Sequence, residues 1–290
     1  MSDRNFFALL RARWAEGKFV CVGLDSDTTK IPNGLFRPQV DAMIIAFNQL
    51  IVDATHDLVC AYKPNSAFYE VHGEAGWRAL RETIAYIHER APGVPVILDA
   101  KRADIGNTNA GYAKAAFDVL KADAITVHPY LGQEALLPFL ERADKGIFVL
   151  CRTSNKGAGE FQDLSIPNVA YPDDGGRTMP LYEYIARHVV RKWNKNRNCA
   201  LVVGATYPDE LREVRQIVRD MPILIPGIGA QGGDLEATVA AGKDSHGQGM
   251  IINSSRGIIF ASSGPDCAEA ARRETLKLHD AINQCLMKKE

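Results

Sequence analysis

No apolar run in this sequence is longer than a β-strand before Gly, Pro or a charge breaks it, well short of the roughly 20 apolar residues a membrane-spanning helix needs. No membrane anchor is therefore expected. There is no excess of positive charge either: 34 Lys and Arg face 35 Asp and Glu, for a net charge of -1, and no basic cluster suits a nucleic-acid backbone. The 6 cysteines include no CxxC and no Cys/His ligand spacing, and the 7 histidines, at 56, 72, 88, 128, 188, 246 and 279, form no ligand pattern. HExxH, EF-hand and GxxxxGK[ST] motifs are missing, so neither a zinc, a calcium nor an ATP site is indicated, and no metal or cofactor is expected. The opening "MSDRNFFALLRARWAEGKF" lacks the continuous apolar core and small-residue cleavage site of a secretory signal. It reads as a leading helix, with Asp3 as a candidate N-cap, on a cytoplasmic protein with reduced, buried thiols.

Short β-rich apolar runs recur along the chain: "FVCVGLD" (19–25), "LVCAYKP" (58–64), "PVILDAK" (95–101), "AITVHPY" (124–130), "IFVLCRT" (147–153), "ALVVGAT" (200–206), "PILIPGIG" (222–229) and "GMIINSS" (249–255). Between them the period turns helical, as in Trp77, Leu80, Ile84 and Ile87, or Tyr112, Ala116 and Leu120. Near-continuous apolar strands alternating with helices indicate a parallel sheet covered by helices. Eight such units in 290 residues fit an α/β fold of the (β/α)8 TIM-barrel type, one domain over 1–290. The longest interval, 154–199, reads as an elaborated loop insertion after the fifth strand, with a helix-like stretch near 179–195.

Charged residues collect where these strands finish, which in a barrel is the catalytic face. Asp25 ends the first run, Lys63 the second, and Asp99 and Lys101 the third. Alternation along a strand sends Asp99 and Lys101 to one side, where Lys63 of the neighbouring strand can join them. A carboxylate between two ammonium groups stays ionised, and the ammonium groups stay charged. Such an array suits proton donation; it also suits an ion-pair network that merely staples strand ends. Three charged strand ends converging on one mouth favour catalysis.

Two loops point to an anion. "PGIGAQGGD" (226–234) follows the seventh run and "NSSRG" (253–257) the eighth, the place where barrels bind phosphate through backbone N–H groups. Glycines let the backbone approach closely, Gln231 supplies an amide donor, Ser254 and Ser255 supply hydroxyls, and Arg256 a bidentate cation. His128 ends a strand, where it could contact a ligand, yet Thr126 and Pro129 beside it suit an ordinary strand-to-turn exit, which favours a structural role.

With these motifs in place, the chain resembles the orotidine 5′-phosphate decarboxylase family, in particular its longer bacterial branch. The resemblance runs through "GLDSD" (23–27), "KPN" (63–65), "DAKRADIGNT" (99–108), "TVHPYLG" (126–132), "RTSN" (152–155), "PGIGAQGGD" (226–234) and "NSSRGI" (253–258), in family order. Asp-x-Lys-x-x-Asp by itself also occurs in related phosphosugar barrels such as ketogulonate-phosphate decarboxylase and hexulose-phosphate synthase. The resemblance implies cofactor-independent decarboxylation of orotidine 5′-phosphate to uridine 5′-phosphate and CO2, the last step of de novo UMP synthesis. It implies a charged tetrad of Lys63, Asp99, Lys101 and Asp104, with Lys101 protonating carbon six of the pyrimidine. It also implies a homodimer in which Asp104 and Thr108 complete the partner's site. Asp25 and Lys63 match ribose contacts, Ser154 a pyrimidine contact, and Gln231 with Arg256 the phosphate grip. Ala103 replaces a different small residue found in many relatives, a change tolerated unless the backbone there needs positive φ.

Two other functions fit parts of the pattern. A Schiff-base aldolase could use Lys63 or Lys101, although flanking by Asp99 makes a poor nucleophile of either. A non-catalytic nucleotide-binding barrel would keep the loops and lose the charges, whereas both sets are present here.

Overall fold

In the computed structural model, which describes residues 4–167, 178–228 and 234–288, all of the expected strand runs become strands of one parallel sheet. The barrel strands are β1 (Val20–Leu24), β2 (Val59–Pro64), β3 (Ile97–Arg102), β4 (Ala124–Val127), β5 (Gly146–Arg152), β8 (Cys199–Val203), β9 (Ile223–Pro226) and β10 (Met250–Ser254). Between β5 and β8 lie two short antiparallel strands, β6 (Ser165–Ile166) and β7 (Met179–Pro180). The order around the sheet is β2-β1-β10-β9-β8-β5-β4-β3. The seam between its two ends is closed by parallel bridges Tyr62 to Val96 and Asn65 to Asp99, with the Tyr62 N–H donating to the Pro95 carbonyl at 3.1 Å. The result is a (β/α)8 barrel, as the strand count predicts.

The strands are apolar throughout because both faces are covered: the five residues of β1 are all buried, as are those of β8. The crossover helices carry the expected stripes. In helix Gly73–Arg90, Leu80, Ile84 and Ile87 are buried and Trp77 sits at the stripe's exposed margin. Of the interval 154–199, the helix Leu181–His188 and its π-helical continuation Val189–Trp193 form the barrel's own crossover, burying Tyr182, Ala186, Val189 and Trp193 in the core. The elaboration proper precedes that helix.

The leading helix spans Phe6–Ala15 and is capped by Asn5, whose side chain accepts from the Ala8 N–H; Asp3 lies outside the described residues. The cap is thus Asn5 and not the expected Asp3, because the apolar stripe starts at Phe6, directly after Asn5. This helix closes the N-terminal end of the barrel. Phe6 stacks edge-on against Phe148 at 5.4 Å over the bare Cα of Gly146, where a Cβ would come within 2.5 Å of the Phe6 ring. The Trp14 indole donates to the Met250 carbonyl at 2.8 Å. Among the described residues no helix is long and apolar enough to cross a membrane.

One buried carboxylate organises this floor. Asp123 is fully buried and accepts from Arg4 Nε at 2.8 Å, from Arg4 Nη2 at 3.0 Å and from the Val96 N–H at 2.9 Å, with His88 Nε2 at 3.1 Å. Burial alone would raise its pKa, but its hydrogen bonds to His88 and Arg4 outweigh that and lower it. Replacing Asp123 by Ala strands these donors in the interior. Urea denaturation of Asp123→Ala should show a loss of about 3–5 kcal/mol, whereas a loss below about 1 kcal/mol would mean that the floor does not depend on this carboxylate.

Candidate active site

The C-terminal ends of the strands open into a cleft of about 440 Å³, lined by residues from all eight barrel strands or the segments that follow them. Its centre is Asp99 on β3. Lys63 Nζ donates to Asp99 Oδ2 at 3.1 Å and Lys101 Nζ to Oδ1 at 2.7 Å, while the Thr126 hydroxyl donates to the same Oδ1 at 2.9 Å. The Lys63 side chain is 5% exposed and that of Asp99 12%, but that of Lys101 is 50% exposed, so the array runs from the interior to the open mouth.

The charge states follow from these contacts. Burial would raise the Asp99 pKa, yet the two ammonium groups outweigh it and hold the carboxyl well below its usual value of 3.8. Burial would likewise lower Lys63, but Asp99 and then Asp25 outweigh that and hold it above its usual 10.5. Stabilisation through Asp99 is thus present above pH 3.8 and lost as acid carries the pH down through its depressed folded value. That from Lys63 is complete below 10.5 and lost only as pH rises past its raised folded value. Between those limits the pair stays ionised. Cys21, buried beneath the array, is pushed up to about 12 by burial and is no nucleophile at neutral pH.

Lys101 does not reach Asp99 by simple strand alternation. Its φ is +47°, in the left-handed region, and the β3–β4 register shifts between Leu98 and Arg102. The strained turn is held by the Lys101 N–H donating to Thr126 Oγ1 at 2.9 Å. Thr126 therefore orients both members of the pair, a role concealed in sequence by its resemblance to an ordinary strand threonine. Ala103 has no positive φ and packs against the core.

The end of β1 is fixed from behind. Ser26 donates to Asn48 Oδ1 at 2.6 Å, Asn48 Nδ2 donates to the Tyr69 hydroxyl at 3.0 Å, and Tyr69 donates to the Leu24 carbonyl at 3.0 Å. This holds Asp25 at the cleft edge, with its Oδ1 4.0 Å from Lys63 Nζ. On the opposite wall, Ser154 stands after β5. Arg152, 2% exposed, stacks its guanidinium 3.9 Å over Tyr207 and places Nη2 3.0 Å from Asp163. Gln162 accepts the Thr153 N–H at 2.8 Å and returns a hydrogen bond to the Thr153 hydroxyl at 3.0 Å. The elaborated segment is thereby tied to the cleft, and Gln162, which the sequence did not single out, lines it.

Of the residues expected at the site, Asp25, Lys63, Asp99, Lys101, Ser154, Ser255 and Arg256 line this cleft together with Gly227. Asp104 and Thr108 do not. Asp104 is braced by Asn109, which accepts its N–H at 2.9 Å and donates to its carbonyl at 2.6 Å, and Thr108 is exposed. Gln231 lies outside the described residues. Among the described residues, no cluster of His, Cys, Asp and Glu could hold a metal ion.

A sequence profile described as "Orotidine 5'-phosphate decarboxylase / HUMPS family" matches residues 18–273. The chain belongs to this family. Proteins named orotidine 5'-phosphate decarboxylase from Ralstonia pickettii and Cellvibrio japonicus are 50% and 47% identical to it, covering 97% and 96% of this chain and 98% of each relative. The solved structure of Leishmania donovani OMP decarboxylase superposes with a TM-score of 0.82 at 39% identity, over 98% of this chain and 100% of that one.

The wall of this cleft at Ser154 is tightly packed. A Cβ on Gly204, just past β8, would stand 2.7 Å from the Cα of Ser154, whereas one on Gly34 would meet nothing within 4 Å. Gly204→Ala should therefore cost about 1–3 kcal/mol in urea denaturation, and Gly34→Ala within about 0.5 kcal/mol of zero. Equal effects would show that Gly204 and Ser154 are not in close contact.

Proposed function

We propose that this protein converts orotidine 5′-phosphate to uridine 5′-phosphate and CO2 with Lys101 as the proton donor. Relatives spanning nearly the whole chain make it a carboxy-lyase of the orotidine 5′-phosphate decarboxylase family. The observation that carries the mechanistic part is the Lys63–Asp99–Lys101 array, in which a carboxylate held ionised grips two lysines at 3.1 and 2.7 Å.

The chemistry asks for such an array. As the bond from carbon six to the carboxylate breaks, CO2 departs and the electron pair remains on carbon six in the ring plane, where the π-system cannot accept it. A fixed ammonium beside that carbon stabilises the developing charge and then transfers its proton to it. Asp99 keeps Lys101 aimed at the cleft, and the carboxylate's own negative charge lies beside the departing group. Asp25 and Lys63 serve the ribose hydroxyls, and Ser154 the pyrimidine.

The other end of the nucleotide is the phosphate. Gly227, with φ of +108°, and Ser255 and Arg256 line the cleft at the ends of β9 and β10. A dianion bound there, with Gln231, contributes binding energy remote from the reacting carbon, which can be expressed in the transition state. Asp104 and Thr108 stand away from their own cleft, which suits a homodimer in which each reaches the partner's site.

Absorbance should report rapid loss of orotidine 5′-phosphate with purified protein in EDTA. Lys101→Ala should lower kcat by about 10³-fold or more, with circular dichroism checking that the variant is folded. No turnover by folded wild type would overturn the activity; near-wild-type turnover by the variant would overturn the proton donor. Borohydride trapping with a phosphosugar should leave no covalent lysine adduct, which an aldolase would form.

A further inference from the structure

Asn253 ends the last barrel strand, β10, paired with Cys21 of β1 on one side and Pro226 of β9 on the other. It lines the cleft, yet it is 6% exposed and its Oδ1 is buried with no hydrogen-bond partner. The neighbouring strand β1 runs on to Asp25, whose Oδ1 is buried and likewise accepts no hydrogen bond, with Lys63 Nζ 4.0 Å away. Among the described residues these are the two buried, unsatisfied side-chain oxygens that line the cleft. A buried amide left unpaired costs its full desolvation, so such a group at a cleft floor calls for a partner supplied by what binds there.

Gly23 lets the Ser255 side chain pack beside Asn253. A Cβ on Gly23 would stand 3.4 Å from Asn253 Oδ1 and 1.8 Å from the Ser255 hydroxyl. Asn253 is thus bracketed by Asp25 on one side and by the Ser255 and Arg256 loop on the other, between the ends assigned to sugar and phosphate. Both unsatisfied atoms are acceptors and require donors. Phosphate offers none, and a pyrimidine offers a single ring N–H. The ribose carries two adjacent hydroxyls, matching two acceptors on adjacent strands, and a hydroxyl satisfies an amide whichever way the amide is turned.

We propose that Asn253 is a specificity residue that hydrogen-bonds one ribose hydroxyl of the nucleotide, beside the one met by Asp25. This rests on reading the cleft as a nucleotide site. The test is calorimetric binding of uridine 5′-phosphate and its 2′-deoxy and 3′-deoxy analogues to wild type, Asn253→Leu and Asn253→Ala, with orotidine 5′-phosphate turnover measured in parallel. Wild type should disfavour one of the analogues by a ratio that both variants reduce by about 5- to 10-fold. Because that ratio compares two ligands on the same protein, a shift in folding cancels from it. Asn253→Leu should also melt no lower than wild type, since it removes a buried amide oxygen that has no hydrogen-bond partner and substitutes an apolar side chain of similar size. Variants that keep the full wild-type discrimination against both analogues would overturn the role of Asn253 while leaving the nucleotide site intact. Wild type that neither binds uridine 5′-phosphate nor turns over substrate would overturn the nucleotide site itself, and this proposal with it.

Discussion

A carboxylate nearly out of water and gripped by two lysines is the interaction on which the upper half of this barrel depends. Asp99 can remain ionised at that depth only because Lys63 and Lys101 stand against its two oxygens. Each lysine in turn depends on the backbone that presents it. Lys63 arrives on β2, across the seam closed by the Asn65 to Asp99 bridge, and Lys101 arrives through a left-handed turn clamped by Thr126. A slip at that seam or a relaxed turn would separate buried charges rather than merely loosen a surface contact.

The two ends of the barrel use buried charge for different purposes. At the floor, Asp123 is completely enclosed by Arg4, His88 and a backbone N–H, far from the open mouth, and ties the leading helix region to β3 and β4. At the mouth, Asp99 faces a cleft and one of its lysines is half exposed. The first arrangement satisfies every partner internally; the second leaves an ammonium presented to whatever enters. That difference is why the array at the mouth, and not the one at the floor, is the one proposed for chemistry.

Much of this was legible in the sequence because the physical signals were local. Parallel strands covered on both faces must be apolar along their length, so the eight runs stood out, and charges placed where those runs stop had few structural reasons to be there. Asp25, Lys63, Asp99 and Lys101 could be placed at the mouth of the barrel in this way. The illegible parts depend on contacts between distant segments. Nothing around Thr126 announces that its hydroxyl will meet Asp99 and the Lys101 N–H, and nothing around Gly204 announces that Ser154 will lie against it. Gln162 and Asp163 sit in an insertion without periodicity, and their partners become apparent only once the end of β5 is placed. Asn5 caps the first helix, where Asp3 was expected, because the apolar stripe starts at Phe6.

The charge state of Asp99 tests this account most directly. With 13C-labelled aspartate, and the Asp99 carboxyl signal assigned by its loss in Asp99→Asn, its chemical shift can be followed by NMR as the pH falls from neutrality. No titration step should appear as the pH reaches 3.8, the usual value for this side chain, because the two lysines hold the carboxylate ionised below it. A step at or above that value would mean that the two lysines do not hold Asp99 ionised, and that the mouth lacks the fixed charge on which its stability and the position of Lys101 depend.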